Sequence, residues 1–292
     1  MIEKSIYKTP KGKKVILELY DKQLKSIKEN IKEKMVSTRY GDTHVTHIGN
    51  KESIPLICLH GGNMIGSDLI KAELAFLQKF NSFVLDTIGH PGKSAETRLS
   101  VRDLSYGYWL LDVLDGLNLI KVNIYTGSFG AGIAIRLATI APERITSLFI
   151  VSPSGIANGS IRDKMILMIP YIRYRIKSSE KNLIRLCSTM IARLDEERIE
   201  ILTAIFKYVH LASEMPRPAT KEELKNFNAP TIIYAANNDI LFPASKVIPR
   251  AKEIFPNLVD THIFQEGIHE QSIEEHELIH QKAGDFFFSN DI

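Results

Sequence analysis

Six short apolar runs punctuate the chain: Pro55–His60, Ser82–Asp86, Val122–Thr126, Ser147–Ser152, Thr231–Ala235 and Asp260–Phe264. Each is rich in Ile, Leu, Val or Phe and is bounded by turn-forming residues, as strands buried on both faces are. Helical patterns lie between most of them, over Asp68–Lys79, Val101–Leu117, Gly130–Ala141, Ala244–Phe255 and Ile273–Phe287. Such alternation predicts an α/β fold, a mostly parallel, doubly wound sheet with helices on both faces. Two earlier runs, Val36–Tyr40 and His44–Ile48 across Gly41-Asp42, predict a hairpin at one sheet edge.

The rhythm breaks between residues 156 and 227. No buried strand is visible there, only helical patterns over Met165–Ile176, Asn182–Leu194 and Glu197–Tyr208. A helical excursion of that length between two strands predicts a cap over one end of the sheet. The expected organisation is an N-terminal helical extension over 1–34, a core formed by 35–155 and 228–292, and an inserted helical cap over 156–227.

With 292 residues, 44% hydrophobic and 24% charged, the chain can bury a large core and is not disordered overall. A net charge of +3 argues against a nucleic-acid partner. The excess is uneven: residues 1–34 carry ten Lys against five acidic residues, read as the solvated face of a helix over about Lys13–Lys34. Residues 160–226 carry thirteen basic and nine acidic residues, which disfavours a cationic substrate under the cap. No run has signal-peptide character, and no uncharged stretch approaches the ~18 residues of a membrane span. Cys58 and Cys187 both sit in apolar surroundings and are expected as free thiols, consistent with a cytoplasmic protein.

In open α/β sheets, ligands bind beyond the carboxyl ends of the strands. After Val122–Thr126 comes Gly127-Ser128-Phe129-Gly130-Ala131-Gly132, leading directly into a helix. A serine between small residues on a strand-to-helix turn is the signature of a nucleophile elbow, with the helix N-terminus beneath it to stabilise negative charge. Thr126 stands where the first Gly of G-x-S-x-G is usual. A serine hydroxyl needs a base to become nucleophilic. Asp239 follows strand Thr231–Ala235, and His269 follows strand Asp260–Phe264, both on the rim expected for Ser128. His269 is the expected base and Asp239 the acid that orients it. Two backbone N–H groups are expected to hold an oxyanion, that of Phe129 and that of Gly62, with Asn63 in place of Gly62 as the other choice. His60 is read as structural, and His262, inside its strand, as packed.

These residues, together with Asp86-Thr87-Ile88-Gly89-His90-Pro91-Gly92-Lys93-Ser94, resemble the α/β-hydrolase superfamily from about Met35 to the C-terminus. The segments from Ser37 to Val45 and from Tyr108 to Leu117 further resemble the bacterial naproxen-cleaving carboxylesterase group. The resemblance implies ester hydrolysis through an acyl-serine, with no cofactor and a small-molecule ester as partner. Besides Thr126, the departures are Ala131 where a second Gly is common, and Gly-Ile-His where Gly-x-Gly-His is commoner. Position 128 being Ser rather than an acid argues against dehalogenase or epoxide hydrolase chemistry. Cleavage of a C–C or amide bond by the same residues, or ligand binding without turnover, are the alternatives.

Two motifs point elsewhere. Gly92-Lys93-Ser94 ends like a P-loop, but the Gly required six positions before the Lys is Thr87. His276-Glu277-Leu278-Ile279-His280 matches H-E-x-x-H, yet the twelve residues after it hold no His and no Glu to complete a zinc site. No metal is therefore expected, and these histidines are read as exposed on a terminal helix. Asn63, Met165 and Met168 are the expected substrate-binding residues, the two methionines because an apolar run from Met165 to Pro170 opens the cap and suits an adaptable acyl pocket.

Overall fold

The computed structural model describes residues 5–290. Residues 1–4 of the N-terminal segment lie outside it. Helix α1 (Pro10–Ser26) comes first, followed by the hairpin of β1 (Lys32–Thr38) and β2 (Gly41–Gly49). Then come β3 (Pro55–Leu59), α2 (Gly66–Leu77), β4 (Asn81–Leu85), α3 (Ser105–Gly116), β5 (Val122–Gly127), α4 (Ser128–Ile140) and β6 (Ile145–Val151). Helices α5 (Ile161–Ile176), α6 (Glu180–Cys187) and α7 (Glu196–Tyr208) separate β6 from β7 (Thr231–Ala236). The chain ends in α8 (Ala244–Ile254), β8 (Leu258–Phe264) and α9 (Ile273–Ser289).

The eight strands form one sheet in the order β1-β2-β4-β3-β5-β6-β7-β8. The pairs β1/β2 and β2/β4 are antiparallel and every later pair is parallel. All six predicted strands are present, but β8 is the sheet's far edge and is not buried on both faces as its apolar run predicted. The strands' side chains alternate between two cores, as a strand period of two requires. Ile57 and Leu59 of β3 join Ile124 of β5 and Ile150 of β6 beneath α3, α4 and α8. Leu56, Cys58, Tyr125 and Phe149 face the opposite way, beneath α1, α2 and α9. A smaller cluster of Tyr174, Leu183, Leu186, Cys187 and Leu202 holds α5, α6 and α7 together. Both cysteines are free and buried. No helix among the described residues is long and apolar enough to cross a membrane.

The N-terminus departs from the helix expected over Lys13–Lys34. Thr9 caps α1 through its side chain, which accepts from Gly12 N–H at 3.0 Å, and Pro10 occupies the first turn, where its missing N–H is harmless. The helix stops at Ser26, and Lys32-Glu33-Lys34 pair instead with Val45–His47 of β2. These charged residues are the exposed end of an edge strand, where Lys discourages pairing with another chain. Their charge pattern alone does not separate an edge strand from a solvated helix face.

Asp86, at the carboxyl end of β4, ties several elements behind the rim. Its Oδ1 accepts from Tyr20 Oη of α1 and from Gly66 N–H of α2, each at 3.1 Å, and its Oδ2 accepts from Lys93 N–H at 2.8 Å. Ser94 Oγ donates to Asp86 O at 2.6 Å and accepts from His44 N–H at 2.8 Å. The Gly-Lys-Ser segment is thus a brace between strand ends. Its backbone is turned onto Asp86 and not toward an open phosphate cradle.

Candidate functional site

Strand β5 delivers Ser128 to the rim on a backbone turn with φ +50°, a left-handed conformation that is strained for a non-glycine residue. Four non-glycine residues in the described chain have positive φ, namely Asn63, Asn118, Ser128 and Ser152, and all but Asn118 line one cavity. Strain concentrated in this way marks a site whose geometry the surroundings enforce. Thr126 fits the elbow because its Oγ1 donates across to Leu59 O at 3.1 Å. Gly130 then has to be glycine, since a Cβ there would lie 2.3 Å from that same Oγ1 and 2.7 Å from Leu59 Cβ.

The ends of β7 and β8 bring the other two polar residues to Ser128. His269 Nδ1 lies 2.8 Å from Asp239 Oδ2, and His269 Nε2 lies 2.9 Å from Ser128 Oγ. An ionised carboxylate only accepts, so the imidazole carries its proton on Nδ1 and leaves Nε2 free to accept from the serine. Asp239 is itself held, its Oδ1 accepting from Leu241 N–H at 2.8 Å and Phe242 N–H at 3.0 Å. Burial disfavours the charged imidazole of His269, but the charge and hydrogen bond of Asp239 outweigh it and raise the pKa above the ordinary value of 6.5. Ser154 Oγ and N–H both donate to Ser128 O, at 2.8 and 3.1 Å, and hold the elbow from the far side.

The loop after β3 lies against the serine. A Cβ at Gly61 would sit 3.9 Å from Ser128 Oγ, and one at Gly62 would sit 3.3 Å from Phe129 Cβ. His60 braces this loop: Nδ1–H donates to Gly61 O at 2.8 Å while Nε2 accepts from Thr87 N–H at 3.0 Å. Burial lowers its pKa, so it stays neutral in this role. Of the two N–H groups considered for this loop, that of Asn63 is taken, donating to His90 Nδ1 at 2.9 Å. Burial, with His60 and Arg98 nearby, pushes His90 down to about 3 and keeps it an acceptor. The N–H of Gly62 has no acceptor among the described residues, and that of Phe129 belongs to the first turn of α4, where helix N–H groups lack internal partners.

The substrate-binding expectations need correction at the methionines. Met165 and Met168 are 63% and 51% exposed on the outer surface of α5 and do not line the cavity. The cap presents Met190 and Ile191 to it instead, and Met64 and Met215 line it as well. The apolar run in α5 is a surface stripe, and composition alone does not reveal which side of a cap helix faces inward. Asn63 does line the cavity, but both ends of its amide are engaged by Ala212 beyond α7, Nδ2 donating at 2.9 Å and Oδ1 accepting at 2.7 Å. It fastens the cap-side chain to the loop beside Ser128.

The cavity has a volume of about 310 Å³. Its lining includes buried charges, a feature no local motif announces. Arg198 of α7 forms a two-pronged pair with Glu270, one contact being Nη2 to Oε2 at 2.7 Å, and also approaches Asp68 of α2 at 3.3 Å. Burial opposes the Arg198 charge, and the two carboxylates more than restore it. Because Glu270 directly follows His269 and its N–H donates to Met190 O at 2.8 Å, the cap is anchored next to the imidazole. The partners lie so far apart in sequence that only the fold brings them together.

The fold is that of the α/β hydrolases, and residues 54–174 match the model of the α/β-hydrolase-fold family. The chain thus has the α/β-hydrolase fold, and it resembles bacterial carboxylesterases. It is 24% identical over 264 residues to the Bacillus subtilis (strain 168) protein called "uncharacterized carboxylesterase nap", covering 86% of this chain and 85% of that one. It is 22% identical over 265 residues to carboxylesterase YbfK of the same strain, covering 86% of each. The crystal structure of naproxen esterase (carboxylesterase NP) from Bacillus subtilis superposes with a TM-score of 0.80 at 20% identity, covering 96% of this chain and 99% of that chain.

Truncating a buried ionic partner leaves the opposing charges uncompensated, at a cost of about 3–5 kcal/mol. Arg198→Met is therefore expected to lower the unfolding free energy by about 3 kcal/mol, measured by urea denaturation. Arg175→Met, on the exposed surface of α5, is expected to change it by less than about 0.5 kcal/mol.

Proposed function

We propose that the protein is a serine hydrolase acting as a carboxylesterase on small to medium esters, with Ser128 as nucleophile, His269 as base and Asp239 as orienting acid. The unbroken relay from Asp239 through His269 to Ser128, opening on a largely apolar cavity, is the observation that carries this reading. The hydrolase class itself is supported by the fold and by relatives named carboxylesterases. The same reading divides the chain into an N-terminal extension that ends before β1, a core from β1 to residue 155 and over 228–292, and a cap over 156–227. The two buried free thiols fit a cytoplasmic setting.

In the first half-reaction, His269 Nε2 takes the Ser128 proton as Oγ attacks the ester carbonyl carbon. The carbonyl oxygen becomes an oxyanion accepting from the N–H groups of Gly62 and Phe129. A single donor of this kind contributes about 2.7–4 kcal/mol to the barrier reduction. The imidazolium, stabilised by Asp239, returns its proton to the leaving alkoxide, releasing alcohol and an acyl-serine. Water then enters, loses a proton to His269 and attacks the acyl carbon. Collapse of the second oxyanion frees the acid and restores the Ser128 hydroxyl. Every bond change is completed by these residues and water.

Hydrolysis of p-nitrophenyl esters from acetate to decanoate tests this directly. Wild type is expected to turn over with an optimum in chain length set by the cavity. Ser128→Ala is expected to lose at least about a thousandfold in kcat with its Tm nearly unchanged. Residual activity above one-tenth contradicts the assignment of Ser128. Turnover of amides or C–C substrates in place of every ester keeps the relay and overturns the esterase. The base must be neutral, and Asp239 raises the pKa of His269 above 6.5. Lowering the pH is thus expected to reduce kcat/KM through a midpoint above that value. In Asp239→Asn the midpoint is expected to move down, because burial is then opposed only by the charge of Glu270. A profile flat from pH 5 to 8 removes His269 as the base.

A further inference from the structure

We propose that Glu73, His276 and His280 form a binding site for a divalent transition-metal ion of the zinc class, in the wall between α2 and α9. The chain after His280 holds no His and no Glu, and the fold supplies a third ligand from α2, on the other side of the sequence. His276 and His280 stand four residues apart on α9, so one face of the helix presents both rings. Far from being exposed, their side chains are 13% and 21% accessible and are turned onto Glu73, whose own is 4% accessible. One ligand atom from each of the three lies within 4.8 Å of the other two.

The donor chemistry and the separation of His276 from Glu73 suit an ion. Glu73 Oε1 lies 3.2 Å from His276 Nδ1, and Glu73 Oε2 contacts His280 Nε2. Zinc–nitrogen and zinc–oxygen bonds of about 2.0–2.2 Å place tetrahedral ligands about 3.4 Å apart. Among the described residues His276 Nε2 is buried without a hydrogen-bond partner and Nδ1 meets only Glu73 Oε1, an arrangement that burial penalises and coordination relieves. Burial raises the Glu73 pKa, but the two histidines outweigh it and bring it down to about 2, so the carboxylate is the charged form a cation requires.

The surroundings fix the ligands as second neighbours of metals do. Tyr125 Oη donates to Glu73 Oε2 at 3.4 Å, and the His280 ring stacks on Phe76 with centroids 4.9 Å apart and planes at 12°. Glu73 and His276 also line the cavity that holds Ser128, so the coordination position not filled by protein opens onto it. Two imidazoles with one carboxylate suit zinc and cobalt better than the all-oxygen preference of calcium or magnesium. An ion here clasps α2 to α9 and fixes that part of the cavity wall.

The test needs no substrate and stands apart from the esterase reading. Full-length protein dialysed against EDTA and then into chelator-free buffer is titrated with Zn²⁺ by calorimetry and with Co²⁺ by visible absorption. We expect one equivalent to bind, Co²⁺ to give the intense bands of a four-coordinate nitrogen–oxygen site, and Zn²⁺ to raise Tm. Affinity is expected to fall at least tenfold in each of Glu73→Gln, His276→Gln and His280→Gln. Should one variant fail to fold, the other two and the wild-type titration still decide. Absence of stoichiometric binding by the folded wild type, or undiminished affinity in the folded variants, overturns the site and leaves the three residues as a hydrogen-bonded cluster.

Discussion

His269 is the point on which the architecture converges, because its two ring nitrogens are committed to residues from two other strand ends. Ser128 leaves β5, Asp239 leaves β7 and His269 leaves β8, and the parallel order β5-β6-β7-β8 sets all three on one rim. An imidazole can bridge an acid and a hydroxyl only if both are in place within hydrogen-bond reach. That demand reaches back into the sheet. The left-handed turn at Ser128, the missing side chain at Gly130 and the Thr126 hydroxyl on β3 all serve to aim one oxygen at Nε2.

The same economy extends around the site. Asp86 gathers α1, α2 and the loop after β4 onto one carboxylate, while His60 and His90, both kept neutral by burial, act as fixed hydrogen-bond partners for the loop beside the serine. The cap is anchored twice at the rim, by Asn63 to the segment beyond α7 and by Arg198 to Glu270. The cavity is lined both by methionine and isoleucine and by paired charges. A flexible, polarizable methionine lining adapts to ligands of differing shape. The paired charges hold their own geometry.

Much of this was legible in the sequence because parallel strands buried on both faces leave a strong local signal, and because α/β sheets place chemistry directly after strand ends. That is why six strands and the positions of Ser128, Asp239, His269 and the Gly61-Gly62 loop emerge from the residues alone. The rest depended on long-range partners. Lys32 to Lys34 read as helix until β2 paired with them, since an edge strand carries the same charges as a solvated helix. Met165 and Met168 read as pocket because apolarity does not encode direction, and α5 turns them outward. His276 and His280 read as exposed because Glu73, which buries them, lies about two hundred residues earlier. Arg198 and Glu270 offered no motif at all.

The central claim, that the relay activates Ser128 as a nucleophile, is tested most directly by intact-protein and peptide mass spectrometry after reaction with a fluorophosphonate. The account predicts a single phosphonyl adduct, located on Ser128, that forms in the wild type and not in Ser128→Ala. A folded wild-type protein that gains no adduct, or an adduct that persists in Ser128→Ala, would contradict it.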